Sequence, residues 1–150
     1  MKLAEALQQR ADLTRRIAQI ANRLNQNAKK QEGTEPAEDP QELLEELRKC
    51  IGEECDLITR INLTNSRVRV EGETLTALLS RRDSLKKELD VLQSFCGEAG
   101  AVVDRYSAKE IRILSTVDVR ALRKECDRLS AEFRRVDTAI QAANWRFDLK

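Results

Sequence analysis

Residues 122–147, LRKECDRLSAEFRRVDTAIQAANWRF, decide the fold. Their apolar members Leu122, Cys126, Leu129, Phe133, Val136, Ile140, Ala143 and Phe147 are spaced 4, 3, 4, 3, 4, 3 and 4. That rhythm is the a/d seam of a helix built to lie along another helix. Charged residues flank it on both sides, so the apolar face is narrow, as suits a partner helix in water.

Working outward, three more stretches carry a helical stripe. In the first it is Leu3, Leu7, Leu13, Ile17, Ile20 and Leu24. In the second it is Leu44, Leu47, Ile51, Cys55, Ile58 and Ile61, and in the third Leu75, Leu78, Leu85, Leu89, Leu92 and Phe95. Helices are expected at about 2–30, 40–61, 75–100 and 118–147, in a single helical domain covering 1–150. Asp39 before Pro40 is a strong start signal for the second helix: a carboxylate cap followed by a residue with no amide hydrogen to leave unsatisfied. The fold class is therefore all-α: four long helices in antiparallel coiled-coil-like packing. Short β-like segments sit in the second and third connections, where Val68 and Val70 alternate with Arg67, Arg69 and Glu71, and Ile111 and Ile113 with Glu110 and Arg112. In an up-and-down bundle those two segments lie at opposite ends. They either pair with copies of themselves or with each other across an antiparallel dimer, or they are extended loops.

Composition agrees. The charged fraction is 35% and the aromatic fraction 3%, a coiled-coil balance. The net charge of +1 hides an asymmetry: residues 1–31 sum to +5 and residues 32–58 to −8. A basic helix followed by an acidic one is expected to pair with it as a hairpin, because charges flanking a seam select partners. No stretch approaches the roughly 18 apolar residues of a membrane span, and residues near Met1 are interrupted by Lys2, Glu5 and Gln8. The expected location is cytoplasmic.

Chemistry has few footholds. Histidine is absent from the whole chain, which removes imidazole acid/base work and His-containing metal sites. The five glycines are scattered and form no phosphate cradle. Cys50, Cys55, Cys96 and Cys126 match no zinc spacing and read as reduced, small apolar residues. Arg15–Arg16, Arg81–Arg82, Lys86–Lys87 and Arg134–Arg135 each have acidic neighbours, so no nucleic-acid surface is expected. The expectation is no enzyme, no cofactor and no metal.

The expected partner is the protein itself, as a homo-oligomer, with room for an unidentified protein partner and none for a membrane. Candidate self-association residues are Val68, Val70, Ile111, Ile113, Phe133, Ile140 and Phe147. Candidate residues for fixing bends between helices are Asn62, Thr64, Asn65, Arg105, Tyr106 and Ser107, whose side chains can bond to nearby backbone.

The opening MKLAEALQQRADL, the stretch NRLNQNAKKQEGTEPAEDP, the INLTN motif and the RYS…EIRILSTVDV stretch together resemble a family of small, uncharacterised bacterial proteins labelled septicolysin or septicolysin-like. The resemblance covers essentially the whole chain. It departs at Gly97 and Gly100, which places the end of the third helix in question. The family name implies a pore-forming cytolysin. The residues themselves point to a non-enzymatic, self-assembling helical protein, and the interrupted helix pairs leave a prefoldin-like holdase as a further alternative.

Overall fold

The computed structural model describes residues 1–101 and 112–150. Four helices follow one another: α1 (Leu3–Gln26), α2 (Pro40–Arg67), α3 (Leu75–Gly100) and α4 (Val119–Arg146). A two-residue strand pair, β1 (Arg69–Val70) and β2 (Glu73–Thr74), lies between α2 and α3. Helix accounts for 76% of the described residues, more than twice the globular average of about one third. The chain divides into two units, one made of residues 1–75 with 141–150, the other of residues 76–140.

In the first unit α1 and α2 form an antiparallel hairpin. Ala6, Leu13, Ile20 and Asn27 are buried at seven-residue intervals on α1 and its C-cap, and Leu43, Cys50, Leu57 and Thr64 at the same interval on α2. The opposite charges expected from the sequence do meet. Arg16 donates to Glu46 at 2.8 Å, Arg23 bonds the carboxylate of Glu38, and Lys30 pairs with Glu35 at 3.0 Å. The arginine hydrogen bond holds the Glu38 carboxyl below its ordinary pKa against the opposing effect of desolvation.

These pairs explain a correction to the register of α2. The sequence offers doublets, Leu43–Leu44, Cys50–Ile51 and Leu57–Ile58, which support two stripes about 100° apart. The stripe through Ile51 and Cys55 looks equally helical, but Ile51 is 48% exposed and Cys55 is exposed. The buried stripe puts Glu46 beside Arg16 and Arg23, and Glu54 beside Thr14. Polar contacts at the flank thus accompany one of two apolar choices. A smaller correction applies to α3, where Phe95 is 44% exposed and the neighbouring Cys96 takes the seam position.

The start of α2 is as expected: Asp39 accepts a hydrogen bond from Gln41 N at 2.8 Å, with Pro40 at the first helical position. Its end is not. The helix runs six residues past 61, to Arg67. Thr64 does not terminate it, because its hydroxyl donates back to Arg60 O at 2.8 Å, a bond compatible with continued helix. The break comes at Val68, whose backbone is extended. Arg69 then pairs with Thr74 and Val70 with Glu73, antiparallel. Glu71 (φ 52°) and Gly72 (φ 89°) make the turn, and positive φ at both central residues matches the right-handed twist of the strands. The valine segment therefore finds its partner two residues away in the same chain.

In the second unit α3 and α4 pair through Leu89, Cys126 and Leu129, with Leu85 and Leu92 packed against them. Arg81 donates to Glu132 at 2.7 Å and Arg82 lies 3.6 Å from Asp137 along the flank. Every member of the α4 seam read from the sequence is buried or half-buried. Asp118 caps this helix, its carboxylate accepting from Ala121 N at 3.1 Å. α3 continues through Gly97 to Gly100 without a break.

Candidate functional site

In the first unit the last residues of the chain return to the end where α2 finishes. Leu3 N donates to Phe147 O at 3.0 Å and Leu149 N to Met1 O at 2.9 Å, so residues 1–3 and 147–149 form an antiparallel bridge. Lys2 reinforces it, with Nζ 3.0 Å from the Asp148 carboxylate and 3.2 Å from Arg146 O. Leu3 is fully buried and Leu149 nearly so. A third strand of contacts comes from α2: Lys150 N donates to Thr64 Oγ1 at 3.0 Å, and Arg60 Nε donates to Lys150 O at 3.2 Å.

Thr64 is thus used twice, as donor to its own helix and as acceptor from residue 150. It is fully buried, and both bonds are needed to leave no polar atom unpaired there. Asn27 plays the matching part at the other end of the hairpin. Its amide donates to Arg23 O at 2.9 Å and accepts from Glu38 N at 3.0 Å, which pins the α1–α2 connection.

Of the bend-fixing candidates, Thr64 bonds Arg60 O within its helix and Lys150 N from the distant tail. Asn62 is exposed and Asn65 half-buried. Arg105, Tyr106 and Ser107 lie outside the described residues. Of the self-association candidates, Val68 and Ile140 are buried within the chain, whereas Val70, Phe133 and Phe147 are half-buried. The Arg146 guanidinium stands 5.4 Å from the centre of the Phe147 ring. Ile113 is 52% exposed in a stretch, residues 112–115, that has no strand, and Ile111 lies outside the described residues. Val68, Val70 and Phe147 belong to the first unit, and Ile113, Phe133 and Ile140 to the second. Sequence reasoning missed Lys2, Arg60, Asp148 and Lys150 altogether. No local signal marks them, since their partners are 86 to 146 positions away.

A cavity of about 380 Å³ opens beside this bridge, lined by Arg67, Val68, Arg69, Phe147, Asp148 and Lys150. In the second unit a cavity of about 340 Å³ is lined by Gln93, Cys96, Gly97, Arg123, Cys126 and Asp127. Burial, helped by the neighbouring Cys96, pushes the Cys126 thiol up, which makes its thiolate scarce and its reactivity low. Among the described residues no cluster of three or more histidine, cysteine or acidic side chains is placed to hold a metal ion. Among them, too, no helix is long and apolar enough to cross a membrane.

Comparison with known proteins agrees with the fold and corrects the resemblance. No curated protein matches the chain. A crystal structure described as that of a functionally unknown conserved protein from Corynebacterium diphtheriae is similar over 100% of this chain and 99% of its own, with 41% identity and a TM-score of 0.92. Neither that structure nor the matching family model carries a septicolysin description, so the septicolysin-like assignment is withdrawn, and the cytolysin activity implied by it goes too. The family model covers residues 10–149, nearly the whole sequence, and the chain belongs to the family it describes, a family of unknown function (DUF6847).

Proposed function

We propose that this protein works by associating with itself, in a structural or interaction role that involves no catalysis. The observation that carries this reading is incomplete burial. Large apolar side chains remain in water: Leu114 is 76% exposed, Val91 68%, Trp145 65% and Ile113 52%. Contact with a second copy would cover part of that surface. The lack of any histidine in the sequence supports the absence of catalysis, since it removes the commonest acid/base group. Light scattering on the purified full chain tests the proposal. A dimer or larger species at micromolar concentration is expected, and a monomer throughout that range would overturn it.

A further inference from the structure

The first unit carries opposite charge at its two ends. One end is the α1–α2 connection with the first turns of α2. Its acidic residues divide into two groups. Glu35 and Glu38 are taken up by Lys30 and Arg23, and Asp39 by the backbone of α2. Glu32, Glu42 and Glu45 are exposed and have no partner among the described residues.

The other end is the cavity beside the terminal bridge. The one carboxylate side chain in its lining, Asp148, is already paired with Lys2. Arg69 gives one N–H to Gly72 O and keeps the rest of its guanidinium free for a ligand. Arg67 and the Lys150 ammonium have no partner among the described residues. A helix C-terminus accounts for a cation such as Arg67, which sits in the last turn of α2. It does not account for Arg69 or Lys150, which lie outside the helices. Val68 and Phe147 add apolar wall to the same cavity. The site thus suits a carboxylate-rich peptide segment that carries some apolar surface. The acidic end, where Glu32 of the connection and Glu42 and Glu45 of the first turns of α2 are unpaired among the described residues and Pro36 and Ala37 lie between them in sequence, has that chemistry.

The two ends cannot meet within one copy. α1 has 24 residues, which at 1.5 Å each separate them by about 36 Å.

Resting on the self-association reading above, we propose that the acidic α1–α2 connection of one copy docks in the basic cavity of the next, so that assembly runs head to tail through unlike surfaces. Such a contact leaves one free end of each kind on a dimer, so it propagates until a ring closes or a filament ends.

Two full-length variants test this by sedimentation velocity. One reverses the cavity, Arg67→Glu with Arg69→Glu. The other reverses the connection, Glu32→Lys with Glu42→Lys and Glu45→Lys. All five side chains are exposed, and far-UV circular dichroism should confirm unchanged helix content. Wild type is expected to assemble at low salt and to weaken about tenfold or more as salt is raised. Each variant alone should be monomeric, and an equimolar mixture should assemble again, because the two copies then alternate and every contact is complementary, one with the wild-type signs and the next with the signs exchanged. Wild-type assembly that ignores salt, or variants that assemble as wild type does, would overturn the head-to-tail contact while leaving self-association standing. Loss in each variant without recovery in the mixture would also overturn it, pointing to some other anion as the occupant. A wild type that never assembles would overturn both readings.

Discussion

Asn27 and Thr64 close the seam of α1 and α2, while Cys96 and Cys126 sit within the seam of α3 and α4. Both hairpins keep a seven-residue rhythm, yet they complete it in different ways. The polar pair in the first unit is fully bonded, and each member reaches out of the seam to hold another segment: Asn27 to Glu38 N, Thr64 to Lys150 N. The thiols in the second unit hold no other segment among the described residues and act as small apolar fillers. A polar group at a seam position is costly unless satisfied, and when satisfied it specifies one arrangement. The first hairpin is therefore specified at both ends by hydrogen bonds, and the second mainly by the fit of leucines and by flanking ion pairs.

The sharpest way to break this contrast is to empty the bridge. Leu3→Ala removes a fully buried side chain from the junction of residues 1–3 with 147–149. It should destabilise the first unit by about 2–5 kcal/mol. The only tryptophan, Trp145, belongs to that unit, so urea titration followed by its fluorescence reads the loss. An unchanged midpoint would mean that the bridge contributes nothing.

A subtler change keeps the volume and removes the bonds. Thr64→Val leaves Lys150 N without its buried acceptor and should cost about 1–3 kcal/mol, seen in the same titration and as faster amide exchange at Lys150. In the second unit the comparable substitution is Cys126→Ser, which puts a polar hydroxyl at a buried apolar seam position. It should cost on the order of 1–3 kcal/mol. If Cys126→Ser unfolds no earlier than wild type, position 126 is not part of the buried apolar seam. Cys55→Ser, on the exposed side of α2, should fall within about 0.5 kcal/mol of wild type and serves as the control.

How much of this was legible follows from where the information lies. The seam of α4 was readable residue by residue, because no large apolar residue adjoins its positions and only Ala121, Ala139 and Ala142 stand beside them. The stripe of α2 was not, because Leu43–Leu44, Cys50–Ile51 and Leu57–Ile58 present two registers, and the choice coincides with contacts from Arg16, Arg23 and Thr14 on another helix. The hairpin at residues 69–74 was half legible: Val68 and Val70 announced a strand, but its partner is only two residues long. The terminal bridge was invisible, since nothing near Lys2 or Lys150 signals that they meet. The same holds for the cavity beside it, which exists only once residues 67–69 and 147–150 are side by side.

The smallest expected effect concerns pH. Arg23 lowers the pKa of Glu38, so the folded value lies below the unfolded one. The pair's contribution is complete above the unfolded value and is lost as pH falls through the folded value, that is, below roughly pH 4. Arg23→Gln should flatten this part of the acid transition without moving the neutral-pH midpoint much, as expected for a largely exposed pair. An equally steep acid transition in the variant would show that other carboxylates dominate it.

The bridge between residues 1–3 and 147–149 also bears on the order of events during synthesis. The first unit takes its opening residues from the start of the chain and its closing ones from 141–150. With elongation at about 5–20 residues per second, roughly 3–13 s separate the appearance of residue 75 from that of residue 141. Throughout that interval Leu3 N and Met1 O lack their partners at 147 and 149, and Thr64 has no donor from residue 150. The α1–α2 hairpin must wait on the ribosome in an unfinished form, held by its ion pairs and by Asn27, until the last ten residues arrive to complete it.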